Sequence, residues 1–89
     1  MKLIFCPTCW DVVKLDYEER ACTCGKAHGH YKPDGLHAVV SEDSIPLGIN
    51  NISLVGAIYD RPKSGMGSRF EAFVIPRECP TVEVEEERA

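Results

Sequence analysis

The sequence predicts an α+β, mostly β protein, with a cysteine-bearing N-terminal hairpin packed on a small antiparallel sheet with one short helix. Three observations predict it. Short apolar and β-branched runs are separated by clusters of Pro, Gly, Asp and Ser, the punctuation of strands and turns. One stretch alone, residues 50–60, repeats its apolar side chains at helical spacing. Two cysteine pairs stand close together near the start, as a metal-pinned hairpin requires. The chain has 89 residues, five of them Cys, and a formal net charge of −4. Such a length excludes large barrels and doubly wound sheets. It also leaves a modest core, which small domains commonly reinforce with a disulfide, a metal or a partner subunit.

The elements follow in order. Lys2 to Phe5 reads as a strand and Cys6-Pro7-Thr8-Cys9 as a tight turn. Val12, Val13 and Leu15 suggest a second strand. After the polar connection Asp16 to Glu19, Arg20 to Cys22 forms a third and leads into the turn Cys22-Thr23-Cys24-Gly25. Lys32-Pro33-Asp34-Gly35 is a turn, since Pro presets φ and Gly is free to take φ > 0. It joins a strand ending near Tyr31 to one over Leu36 to Val40. Ile45 to Ile49 is apolar, but Pro46 assigns it to an edge or irregular strand. Asn50 or Asn51 caps a helix bearing Ile52, Val55, Ile58 and Tyr59, and Pro62 ends that segment. Phe70 to Ile75 reads as a strand buried on both faces apart from Glu71. From Glu83 onward the chain is expected to be solvated and mobile. The expected units are residues 1–32, the cysteine hairpin; 33–82, a β-rich unit with one helix; and 83–89, an acidic tail.

Charge is unevenly spread. Glu83, Glu85, Glu86, Glu87 and Arg88 together carry −3, so residues 1–82 carry −1, from nine basic against ten acidic side chains. This balance argues against indiscriminate binding to nucleic acid or an anionic membrane. No stretch approaches the roughly 20 apolar residues of a membrane span, and the start is too short for a signal-peptide core. A cytoplasmic setting is therefore expected, in which clustered thiols mean metal or redox chemistry.

Cys6-x2-Cys9 and Cys22-x-Cys24 suit a tetrahedral metal site, because each tight turn offers two thiolates and a hairpin brings the turns together. Zinc is the expected cofactor, in a structural role, with iron as the alternative. The segment Cys6-Pro7-Thr8-Cys9 resembles the knuckle of zinc ribbons and rubredoxins, a resemblance covering about residues 3–26. It implies a zinc-ribbon-like hairpin. Zinc ribbons carry two residues between the second pair of cysteines, whereas this chain has only Thr23. The fourth ligand is thus open, with His28 or His30 able to replace Cys22 or Cys24. Four thiolates would close the site, leaving no coordination position for substrate. Trp10 and Tyr17 flank the hairpin and are expected to cover its metal-centred core, with base stacking as the alternative. Tyr31 and Tyr59 read as packing residues, and Cys79 as a small buried hydrophobe. Ile45 to Ile49 and Arg61 to Pro80 resemble parts of small bacterial or phage proteins, which implies no activity.

His28 and His30 fall on one side of an extended segment, and His37 follows the turn at Asp34. With Asp34 nearby they could make a second metal site or an acid–base group; otherwise they read as polar decoration, as replacement metal ligands or as ligand contacts. Arg61, Lys63, Ser64, Gly65, Gly67, Ser68 and Arg69 form a basic Gly/Ser loop without an acidic residue. Its backbone amides, hydroxyls and guanidinium groups suit an anion such as a phosphate, although the spacing matches neither the P-loop nor GxGxxG. Met66 at its tip is suited to touching a base or a partner. The leading expectation is a non-enzymatic, zinc-stabilised adaptor working through protein–protein contacts or self-association. The alternative is a binder of a phosphorylated ligand (nucleotide, cyclic oligonucleotide or nucleic acid) through residues 61–69. An open-site zinc enzyme is the minor third.

Overall fold

A computed structural model describes residues 1–85 of the chain. Eight strands and one helix follow in order: β1 (Lys2–Phe5), β2 (Val12–Lys14), β3 (Arg20–Ala21), β4 (His28–Tyr31), β5 (Ala38–Ser41), β6 (Ile45–Ile49), α1 (Asn51–Tyr59), β7 (Ala72–Val74) and β8 (Val82–Glu85). The protein is mostly β, as the punctuation of the sequence predicts.

The strands form two small sheets, ordered β2-β1-β6-β7 and β3-β4-β5-β8. Each sheet therefore takes strands from both sides of residue 32. The cysteine hairpin is not a separate layer, because β1 and β2 go to the first sheet and β3 and β4 to the second. The buried side chains of both sheets form one cluster: Ile4, Cys6, Val13, Leu15, Cys22, Ala27, Ala38, Val40, Ile75 and Val82. Ile4 and Val13 face each other in the β1–β2 pair, with alternate neighbours more exposed, which is the period-two pattern of a half-buried strand.

Several expectations are corrected. The sheets are antiparallel except for β5 and β8, which pair in parallel, Ala38 opposite Val82 and Ser41 opposite Glu85. Glu83 to Glu85 are exposed, as expected, but belong to a strand where a mobile stretch was expected; the rest of that stretch, residues 86–89, lies outside the described residues. Strand β6 is interior, paired with both β1 and β7. Pro46 is tolerated there because its carbonyl accepts from the Ile75 N–H at 2.9 Å. The nitrogen and carbonyl of one strand residue point the same way, so the missing donor faces past the end of β7 and no hydrogen bond to β1 is lost.

The strand expected over Phe70 to Ile75 is shorter, and only Ile75 is buried. Strand β7 is a sheet edge, with Phe73 and Val74 exposed. Helix α1 forms where expected, and Asn50 is its N-cap, accepting from the Ser53 N–H at 3.1 Å. Yet no residue of α1 is buried. Its N-terminal end is tied down by polar contacts: the Asn50 N–H donates to the Glu71 carbonyl at 3.0 Å, and the Glu71 N–H donates to Ser53 Oγ at 2.7 Å.

The aromatic residues also differ from expectation. Trp10 is 77 % exposed and lies tilted on Phe5, at 6.1 Å between ring centroids, without covering the cysteines. Tyr17 is exposed and tilted against Tyr31. Tyr31 does pack, its hydroxyl accepting from the Lys2 N–H at 2.7 Å, but Tyr59 is exposed. No helix among the described residues is long and apolar enough to cross a membrane.

Candidate metal centre

Two turns converge at the ends of β1 and β3. In the first, the N–H of Trp10 donates to the Cys6 carbonyl at 2.7 Å; in the second, the N–H of Gly25 donates to the Cys22 carbonyl at 3.1 Å. In both, the residue after the second cysteine closes the turn and has positive φ, 62° at Trp10 and 82° at Gly25. The single residue between Cys22 and Cys24 therefore shortens the second turn by one residue and preserves its closure. Each first cysteine is held again from below. The N–H of Cys6 donates to the Asp11 carbonyl at 3.0 Å, and that of Cys22 to the Ala27 carbonyl at 2.8 Å.

The sulfurs of Cys6, Cys9, Cys22 and Cys24 all lie within 4.8 Å of one another. Cys24 Sγ is 3.6 Å from Cys6 Sγ and 3.5 Å from Cys22 Sγ. A tetrahedron with metal–sulfur bonds of about 2.3 Å has edges of about 3.8 Å, so the spacing fits one ion held by four thiolates. Cys6 and Cys22 are buried in the core, Cys9 is half-buried, and Cys24 faces solvent. Any ion there sits at the seam between the two sheets with one side toward water.

The thiols titrate unequally. The Cys9 N–H, helped by that of Thr8, holds Cys6 below its usual range against the opposing effect of burial. At Cys22 burial raises the pKa, but the Ala27 N–H at 3.3 Å and the neighbouring thiols outweigh it and lower it to about 6. At Cys24 the Lys26 N–H favours the thiolate, yet burial and the three other sulfurs push the thiol up to about 12. A thiolate thus forms readily beside a thiol that keeps its proton, the sharing of negative charge that a bound cation relieves.

His28 and His30 do not enter the sulfur cluster. The Nδ1 of each lies 2.6 Å from a different oxygen of Glu19. They are therefore not needed as substitute ligands, since Cys22 and Cys24 both reach the site. His37 is held by Asp34 at 2.5 Å. Cys79 packs half-buried against the core, its sulfur 3.4 Å from Thr81 Oγ1, and is not among the four clustered cysteines.

The basic loop is not gathered into a cradle. Every residue from Arg61 to Arg69 is exposed, Met66 fully. Ser68 Oγ donates back to the Asp60 carbonyl at 3.4 Å, while Arg61, Lys63 and Arg69 have no ion-pair partner among the described residues. Two grooves lie elsewhere. One, of about 470 Å³, is lined by apolar residues of the first sheet, including Leu3, Val12, Leu47, Ile49, Phe73 and Val74. The other, of about 660 Å³, runs from Glu42 to Pro46 and across to Arg77 and Val84.

Sequence reasoning missed two contributors. Asp11 joins the two cysteine turns, and Glu19 joins the two histidines; both sit in short polar connections that gave no spacing signal. Compared with protein-family models, curated proteins and solved structures, the chain matches none.

Proposed function

We propose that this protein is a non-enzymatic, zinc-stabilised interaction module whose exposed apolar surface pairs with a second copy of the chain. The observation that carries this reading is α1. Between Asn51 and Tyr59 it has no charged side chain, and Ile52, Val55, Ile58 and Tyr59 are all exposed, Ile52 and Tyr59 by 86 and 87 %. A helix apolar on this scale is normally buried. The same chain carries the apolar groove of the first sheet, closed on one side by the uncovered edge β7.

Surface area supports the reading. The accessible surface is 6683 Å², against about 5,200 Å² for a folded monomer of 9.9 kDa. The excess, about 1,500 Å², is more than the roughly 800 Å² that one partner contributes to a standard interface. Neither α1 nor the apolar groove offers charge to recruit a basic or acidic partner, which favours self-complementary packing of helix against groove. Four thiolates form a closed set suited to zinc, which holds the seam between the sheets and leaves no position for substrate.

Two measurements test it. Metal analysis of the purified protein should give one zinc per chain, and the cobalt-substituted protein a four-thiolate spectrum. Sedimentation should show a dimer that Ile52→Glu with Ile58→Glu converts to a monomer, folded by its near-ultraviolet circular dichroism and without the concentration-dependent Tm of the wild type. A wild-type monomer at high micromolar concentration would overturn the pairing; iron or no metal would overturn zinc.

A further inference from the structure

We infer that the protein has a second metal site, for a divalent transition-metal ion, on the outer face of the β3-β4-β5-β8 sheet, formed by Glu19, His28 and Glu85, with His30 holding the second oxygen of Glu19. The inference is independent of the proposed function, since it uses neither the cysteines nor α1.

The site is built by three separate parts of the chain. His28 and His30 are two apart on β4, so their rings leave the same face. Glu19 comes from the connection ahead of β3, and its two oxygens are divided between the rings, each 2.6 Å from an Nδ1. Glu85 comes from β8, two strands across from β4, with a carboxylate oxygen 3.9 Å from His28 Nδ1. The donor atoms of Glu19, His28 and Glu85 lie within 4.8 Å of one another.

Charge gives the reason for an ion. Two carboxylates are directed at one spot, and like charges at such separation repel. A dication among Glu19, His28 and Glu85 neutralises both carboxylates and takes the His28 nitrogen as a ligand, its ring proton moving to the other nitrogen, while His30 keeps the second oxygen of Glu19 in place. A shell with an imidazole nitrogen beside two carboxylates suits zinc, cobalt or nickel better than magnesium or calcium, which prefer all-oxygen shells. The side chains are a quarter to a half exposed, so water completes the coordination and the ion exchanges readily. The pair His37–Asp34 supplies an internal control, being one imidazole with one carboxylate.

The test uses the full chain, without an affinity tag, loaded with one zinc at the cysteines. Cobalt(II) is titrated at neutral pH by calorimetry and by proton NMR. One further equivalent should bind and broaden the ring signals of His28 and His30, while those of His37 stay sharp. No thiolate-to-cobalt absorption should appear. His28→Ala with His30→Ala should weaken this binding at least tenfold, and Glu19→Gln about tenfold. These side chains are partly or largely exposed, and an unchanged near-ultraviolet circular dichroism spectrum verifies that the variants fold. Absence of a second equivalent, equal affinity in the double variant, or equal broadening of His37 would overturn the inference.

Discussion

Asp11 ties the two cysteine turns to each other through Thr23. One oxygen of its carboxylate accepts from the Thr23 N–H at 3.0 Å and from the Thr23 hydroxyl at 2.9 Å. Asp11 follows the first turn and Thr23 is the single residue inside the second. The link therefore fixes how the two pairs of sulfurs face each other.

Asp11→Ala should weaken metal binding by about tenfold, as loss of a group that orients ligands does. Thr23→Ala keeps the backbone N–H bond and should cost less. Competition against a chromophoric chelator measures both, and Asp11→Ala binding as tightly as wild type would remove this role.

Trp10 occupies a left-handed conformation that costs a non-glycine residue about 1–2 kcal/mol. Its ring also touches Phe5, so a single substitution mixes two effects. Comparing Trp10→Gly with Trp10→Val separates them, because both lose the ring. The valine variant should be less stable than the glycine variant by about 1–2 kcal/mol in denaturant unfolding. Equal stabilities would mean that the turn relaxes to another conformation.

Two glycines should respond in opposite directions to alanine. A Cβ on Gly29 would lie 2.7 Å from the Val39 carbonyl oxygen and 3.2 Å from Val40 Cα, both backbone atoms that cannot rotate away. Gly29→Ala should therefore destabilise by about 1–3 kcal/mol. A Cβ on Gly56 meets nothing within 4 Å, and Gly56 lies inside α1. Gly56→Ala should stabilise by about 0.5–1 kcal/mol. Thermal unfolding of the two variants checks the pair.

Asp34 is held at about 2, first by the His37 N–H, then by the Leu36 N–H and the His37 ring. Its folded pKa is depressed from 3.8, so its contribution to stability is present above pH 3.8 and is lost as pH falls through about 2. Carboxyl NMR should show it titrating near the lower value. In His37→Ala it should stay well below 3.8, because both backbone amides remain. A return to 3.8 would place the cause in the imidazole instead.

The cysteine set and its two turns were legible in the sequence, because ligand spacing is a local property. Strands β1 to β5 and the Asn50 cap were legible for the same reason. What the sequence did not disclose is long-range. The apolar run in Phe70 to Ile75 implied burial on both faces, but β7 is an edge because no strand among the described residues pairs beyond it. Pro46 argued against an interior position, yet the direction of its nitrogen depends on register, which no local pattern sets. Trp10 resembled a core aromatic, while its backbone conformation turned it outward onto Phe5. Glu19 looked like solvated linker until β4 placed two imidazoles opposite it.

The parallel pairing of β8 with β5 imposes an order in time as well as in space. Every strand of the first sheet precedes Val82 in the chain, so that sheet leaves the ribosome ahead of β8 and can close first. The second cannot, because Val82 and its neighbours come last among the described strands. Until they emerge from the ribosome, β5 is an open edge, and Ala38 and Val40 lack part of their cover. A nascent chain paused in that interval would be vulnerable to proteases and to edge pairing with its neighbours on the same message.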